Sequence, residues 1–178
     1  ELAELITRES GKPLRDARVE ADRGATVFRL AAEEAERLGG ETLPLDIAPP
    51  HKGRHALTRR FPIGPVAGIS PFNFPLNLAA HKVAPAIAAG CSIVLKPPSK
   101  DPLVMLRVAQ YIDETDLPMG AVSIVPMDRP TGDAMVADGE SRMVYASSNH
   151  AVGRTPRTDL LTPAVRPPPD TFDGVAKV

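Results

Sequence analysis

Pro71-Phe72-Asn73-Phe74-Pro75 and Ile93-Val94-Leu95-Lys96-Pro97-Pro98-Ser99 are the two stretches whose reading decides the fold. Each sits where a short apolar run stops. If both runs are parallel strands, an amide side chain and a lysine share one rim of a sheet. In open α/β sheets that rim, outside the carboxyl ends of the strands, is where ligands bind. An Asn there can donate to developing negative charge, and a Lys can hold a ribose or a phosphate.

Outward from this pair, the chain alternates. Val66 to Ser70 reads as a strand, Leu76 to Ala89 as a helix ended by Gly90, and Ser92 to Leu95 as the next strand. Asp101-Pro102 predicts a helix start, with Asp as N-cap and Pro in the first position. That helix carries Leu103, Leu106, Ala109 and Ile112. Ala121 to Val125 is a third strand, a short helix begins near Thr131, and Arg142 to Ala146 is a fourth strand. This repeat predicts an α/β fold: a doubly wound, mostly parallel, Rossmann-like sheet. Two leading helices precede it, over residues 2–9 and 14–38. The second places Val19, Val27, Leu30, Ala31 and Leu38 near one face. Residues 55–61 read as an exposed hairpin arm. Residues 1–154 therefore form one domain. Residues 155–178, with Pro167-Pro168-Pro169 and few large apolar groups, read as a disordered tail.

Composition narrows the function. The formal net charge of the 178 residues is -1, which offers no basic surface for nucleic acid. The longest apolar run, Val83 to Leu95, is broken by Pro85 and Gly90 and is too short to span a bilayer. The single cysteine, Cys91, fits a reducing, cytoplasmic compartment and reads as a small buried hydrophobe. His51, His55, His81 and His150 lack metal-ligand spacing, so no metal site is expected. Plainer readings stand beside the rim residues: Asn73 as a capping residue in a rigid turn, Lys96 as a surface lysine, and Ser147-Ser148-Asn149 as an ordinary N-cap rather than a phosphate site.

Taken together, Glu9-Ser10-Gly11-Lys12-Pro13, Gly64 to Leu76 and Ala89 to Ser99 resemble the NAD(P)-dependent aldehyde dehydrogenase superfamily, over roughly residues 1–154. Thr131-Gly132-Asp133-Ala134 and Ala151-Val152-Gly153 fall at matching spacing. The resemblance implies that Asn73 supplies the side-chain half of an oxyanion hole. It implies that Ile69, Ser70, Pro71 and Phe72 line a coenzyme groove, that Lys96 touches the adenosine ribose, and that Val152 packs on the adenine. The place of Ser99 often holds a glutamate that binds both ribose hydroxyls. A serine leaves room for a 2′-phosphate, so the implied coenzyme is NAD or NADP.

Two departures qualify that picture. The usual Phe-Thr-Gly-Ser-like turn is replaced by Ala146-Ser147-Ser148-Asn149. The family's base glutamate and catalytic cysteine lie beyond the point where the likeness ends, and Cys91 is not that cysteine. The expectation is a truncated coenzyme-binding portion, inactive alone. Its partners are a nicotinamide coenzyme, other copies of itself in a homo-oligomer and, in a full-length member only, an aldehyde. The alternative is a non-enzymatic nucleotide-binding or interaction module.

Overall fold

The computed structural model describes residues 1–137 and the backbone of residues 142–143. Helix α1 (Leu2–Ser10) buries Ala3 and Ile6 and ends at Gly11, whose φ of 72° places it in the left-handed region that closes a helix. Helix α2 (Leu14–Ala35) follows Pro13. A small antiparallel ribbon of β1 (Thr42–Pro44) and β2 (His55–Leu57) stands apart from the main sheet, as the charged 55–61 stretch predicts.

The main sheet contains β3 (Val66–Ile69), β4 (Ile93–Lys96), β5 (Val122–Ile124) and β6 (Arg142–Met143), in the order β5-β4-β3-β6 and parallel throughout. Helix α3 (Asn77–Ala88) joins β3 to β4, and α4 (Leu103–Asp113) joins β4 to β5. Helix α5 (Arg129–Ala137) then carries the chain back to the far side of β3. Strand side chains alternate between faces. Ile93 and Leu95 enter the core with Val83, Val104 and Met105 from α3 and α4. Lys96 points the other way: a Cβ on Gly132 of α5 would lie 3.0 Å from its Cδ. Helices therefore cover both faces, and the doubly wound α/β sheet expected from the sequence is what forms.

Helix α2 buries a different face from the one expected. Ala17, Glu20 and Gly24 are its buried residues, whereas Val19 and Leu30 are 53% and 52% exposed and Leu38 is also exposed. At 100° per residue Val19 and Leu30 lie outside the Ala17–Gly24 stripe, about a third of a turn round the helix from its centre. Small residues win because α2 packs closely on the start of α3: a Cβ on Gly24 would lie 3.1 Å from Leu76 Cγ.

The start of α4 also differs from expectation. Pro102, not Asp101, is the N-cap, and no side chain within the helix caps it. The carboxylate of Glu9, at the end of α1, does so from a distance in sequence. It accepts Leu103 N–H at 2.9 Å and Val104 N–H at 3.0 Å. Helix N-termini carry unsatisfied N–H groups and partial positive charge, so a carboxylate from any element can serve. The expected Pro-rich tail, Ser147-Ser148-Asn149 and the end of the fourth strand lie outside the described residues. Glu9→Ala removes the acceptor of both N–H groups and is expected to destabilise the chain by about 1–2 kcal/mol in urea unfolding; an unchanged midpoint would contradict this role.

Candidate functional site: the carboxyl rim of β3 and β4

The chain reverses direction across the sheet between β3 and β6, which makes the carboxyl end of β3 a switch point. Ile69 lies opposite Lys96, and Ser70 N–H continues the ladder to Lys96 O at 3.0 Å. Backbone hydrogen bonding thus brings the two signal stretches side by side. Ser70 is buried at 3% exposure, and its Oγ has no hydrogen-bond partner among the described residues. A buried hydroxyl without a partner is costly unless a polar group meets it, so this rim is chemically suited to a polar ligand.

Lys96 is 8% exposed and donates from Nζ to Ser99 Oγ at 3.0 Å, which excludes the surface-lysine reading. Its stem is buried under α5, where Gly132 provides the space. Beside Ser99 a cavity of about 340 Å³ opens between Pro97, Pro98 and Pro102 after β4 and Pro126, Met127 and Asp128 after β5. Asp128 caps α5, accepting Thr131 N–H at 3.0 Å; the Thr131 side chain first, and then this N–H, hold its carboxyl below the usual carboxylate range. The sequence reading did not single out Asp128; its place three residues before Thr131 is the N-cap signal that could have found it.

Asn73 is exposed in the loop between β3 and α3, flanked by the exposed rings of Phe72 and Phe74. It does not cap α3. Glu20 does, accepting Leu76 N–H at 3.0 Å and Asn77 N–H at 3.2 Å through Oε1, so the plain capping reading of Asn73 fails. Lys12 forms an ion pair with Glu20 Oε2, donates to Asn73 O at 3.1 Å, and lies 4.2 Å from the centre of the Phe74 ring. Lys100 lies 4.2 Å from the centre of the Phe72 ring. The rim therefore gathers Ile69, Ser70, Pro71, Phe72, Asn73, Lys96 and Ser99. Val152 lies outside the described residues.

Two other groups stand away from the rim. Cys91 is buried before the start of β4, at the opposite end of the sheet, where its thiol meets Ala89 O at 3.9 Å. Lys82 on α3 is buried beside an apolar hollow that includes Phe61, Ile63 and Pro85, and burial pushes its pKa down to about 8. Among the described residues no group of three or more His, Cys, Asp or Glu could hold a metal, and no helix is long and apolar enough to cross a membrane.

Asp101 is 1% exposed, and its Oδ1 has no partner among the described residues. Burial, then the neighbouring Glu9 and Glu20, push its pKa up to about 6, and Lys12 opposes them. The folded chain therefore holds this proton more tightly than the unfolded chain, where an Asp titrates near 4. Stability should fall as pH rises from about 4 to about 6 through this group. Asp101→Asn is expected to match wild type near pH 4 and to unfold later at pH 7, by up to about 3 kcal/mol. A constant difference across that range, read by thermal unfolding, would rule the assignment out.

Comparison with known proteins agrees with this arrangement. The family model for the aldehyde dehydrogenase family matches residues 1–158. The 3-sulfolactaldehyde dehydrogenase of Priestia megaterium is 38% identical over 159 residues, covering 89% of this chain and 33% of the relative. Aldehyde dehydrogenase 21 from Physcomitrella patens, solved with the reaction product succinate, superposes with a TM-score of 0.76 at 47% identity, over 81% of this chain and 30% of that one. The glyceraldehyde-3-phosphate dehydrogenase GapN of Methanocaldococcus jannaschii, solved with NADP, gives 0.73 at 38% identity, over 81% and 32%. The chain thus spans about a third of the length of these relatives. With the family model matching most of its length and the sheet and rim in place, the chain belongs to the aldehyde dehydrogenase family.

Proposed function

We propose that this chain is the coenzyme-binding portion of an NAD(P)-dependent aldehyde-oxidising enzyme, and that the β3–β4 rim receives the nicotinamide coenzyme. The observation that carries the reading is the buried Lys96, bonded to Ser99 and set by backbone register beside the unpartnered Ser70 hydroxyl. Ile69, Ser70, Pro71 and Phe72 line the groove. Lys96 and Ser99 meet the adenosine ribose, and Val152 packs on the adenine. The NADP in the GapN relative supports a dinucleotide of this class here.

Ser99 places no negative charge where a 2′-phosphate would lie, and Lys96 and Lys100 attract one. Asp128 works against it from across the same cavity. The proposed preference is NADP at least as well bound as NAD, with binding weak for both. In the full reaction the coenzyme accepts a hydride. This chain's part is to hold the coenzyme and to offer the Asn73 amide to the oxyanion that forms when a nucleophile adds to the aldehyde. The one cysteine of the 178 residues, Cys91, is buried far from that amide and cannot serve as the nucleophile. A homo-oligomer is part of the same proposal.

Calorimetry with both coenzymes tests this. Ser99→Glu should weaken NADP binding roughly tenfold more than NAD binding, Asp128→Asn should favour NADP, and Lys96→Ala should weaken both. Equal losses in the first arm, or no effect of Lys96→Ala, would remove the nucleotide from this rim.

A second measurement addresses catalysis. The 178-residue chain mixed with short and aromatic aldehydes and either coenzyme should give no reduced coenzyme above background. Turnover that disappears in Cys91→Ala would make that thiol catalytic and overturn the assignment.

A further inference from the structure

We infer that Lys12, in the link between the two leading helices, and Glu20, on the second of them, are positioning residues that set the loop carrying Asn73. The inference rests on the reading of Asn73 as the oxyanion donor. It concerns groups remote from the rim in sequence, whose side chains reach across the helix layer to it.

The geometry is a relay of contacts. Glu20 is 2% exposed and uses one oxygen, Oε1, for the N–H groups of Leu76 and Asn77. Its other oxygen is paired with Lys12 Nζ. The same ammonium donates to Asn73 O at 3.1 Å and stands 4.2 Å from the Phe74 ring centre. Residues 73 to 77 are therefore held along their backbone by one ion pair.

The source of that pair is rigid. Lys12 follows Gly11, the left-handed residue that ends α1, and precedes Pro13, whose ring fixes the entry to α2. Glu20 sits on the buried stripe of α2 between Ala17 and Gly24. An ammonium supplies three donors, which matches a carboxylate and a carbonyl, while its charge faces the ring. Pro71 and Pro75 restrict their own φ and Lys100 stands over the Phe72 ring, but none of these contacts the peptide of Asn73. Lys12 is the side chain that contacts that peptide directly. A displacement of the amide by about 1 Å would weaken its stabilisation of an oxyanion severely. Removing Lys12 also strands Glu20 with a buried, half-satisfied carboxylate.

The test reads the loop itself, in the full 178-residue chain labelled with ¹⁵N. In Lys12→Met, order parameters at Asn73, including its side-chain amide, should drop from about 0.85 to below about 0.6. Lys12→Arg, which keeps a charged donor, should restore them. In Glu20→Gln, exchange at Leu76 and Asn77 N–H should quicken at least tenfold, with Val94 and Val108 at wild-type rates. Uniform quickening through α4 and the sheet would show a general structural role and overturn the inference, as would an Asn73 that stays ordered in Lys12→Met. If the variants fail to fold, the wild type decides: the Leu76 and Asn77 amides must exchange as slowly as those inside α3, and rapid exchange there rejects the clamp. No coenzyme or aldehyde enters these measurements. A negative result leaves the coenzyme reading intact, and failed coenzyme binding leaves the clamp intact.

Discussion

The arrangement depends on two carboxylates that reach from the leading helices onto the first turns of the sheet helices. Glu9 closes the start of α4 and Glu20 closes the start of α3. A buried carboxylate costs several kcal/mol unless it is matched by hydrogen bonds and opposite charge. Here the buried Glu20 and the half-buried Glu9 meet N–H groups that would themselves be orphaned, at the positive end of a helix dipole. Two unfavourable sets of groups satisfy each other. The consequence is architectural, because α1 and α2 cannot slide over α3 and α4 without exposing both sets. The core contacts of Ile6, Ala17, Val83 and Val104 add area, but area is not directional, and the carboxylates supply the register.

This register reaches the rim through the sheet. Parallel pairing of β3 with β4 puts Ile69 opposite Lys96, and alternation sends Lys96 to the α5 face while Leu95 enters the core. A buried lysine stem needs room, which the absence of a side chain at Gly132 provides. Its ammonium then emerges beside Ser99, at the mouth of a cavity bounded by the proline-rich ends of β4 and β5. Prolines suit that mouth because they hold a loop without leaving N–H groups unsatisfied. The rim is thus polar at its centre and bounded by prolines at its margins.

The same helix layer serves stability and positioning with different atoms of one residue. Glu20 closes α3 with one oxygen and fixes Lys12 with the other, and Lys12 meets the peptide of Asn73. Nearby Asp101 is buried without a full set of partners, and its raised pKa follows first from that burial and then from the neighbouring Glu9 and Glu20.

The order of helices and strands was legible in the sequence because short apolar runs alternate with helical periodicity, and Gly90 marks a helix end whose left-handed backbone suits glycine. The fold class, the parallel sheet and the meeting of the Asn73 and Lys96 stretches on one rim followed from that alternation alone. So did the burial of Cys91, a small apolar group between a helix and a strand. The caps were not legible. Asp101 had the local signature, yet Glu9, far away in the chain, took the place, because a helix N-terminus binds whichever carboxylate the packing delivers. The buried face of α2 was misread for a related reason: hydrophobic pattern counts Glu20 as polar and Val19 as apolar, whereas close helix packing favours small residues and a carboxylate with waiting donors. Sequence determined which elements form, since backbone preference and hydrophobic period are local properties. Tertiary structure decided which polar groups are buried and what they hold, since a buried charge is stable only beside partners brought from elsewhere in the chain.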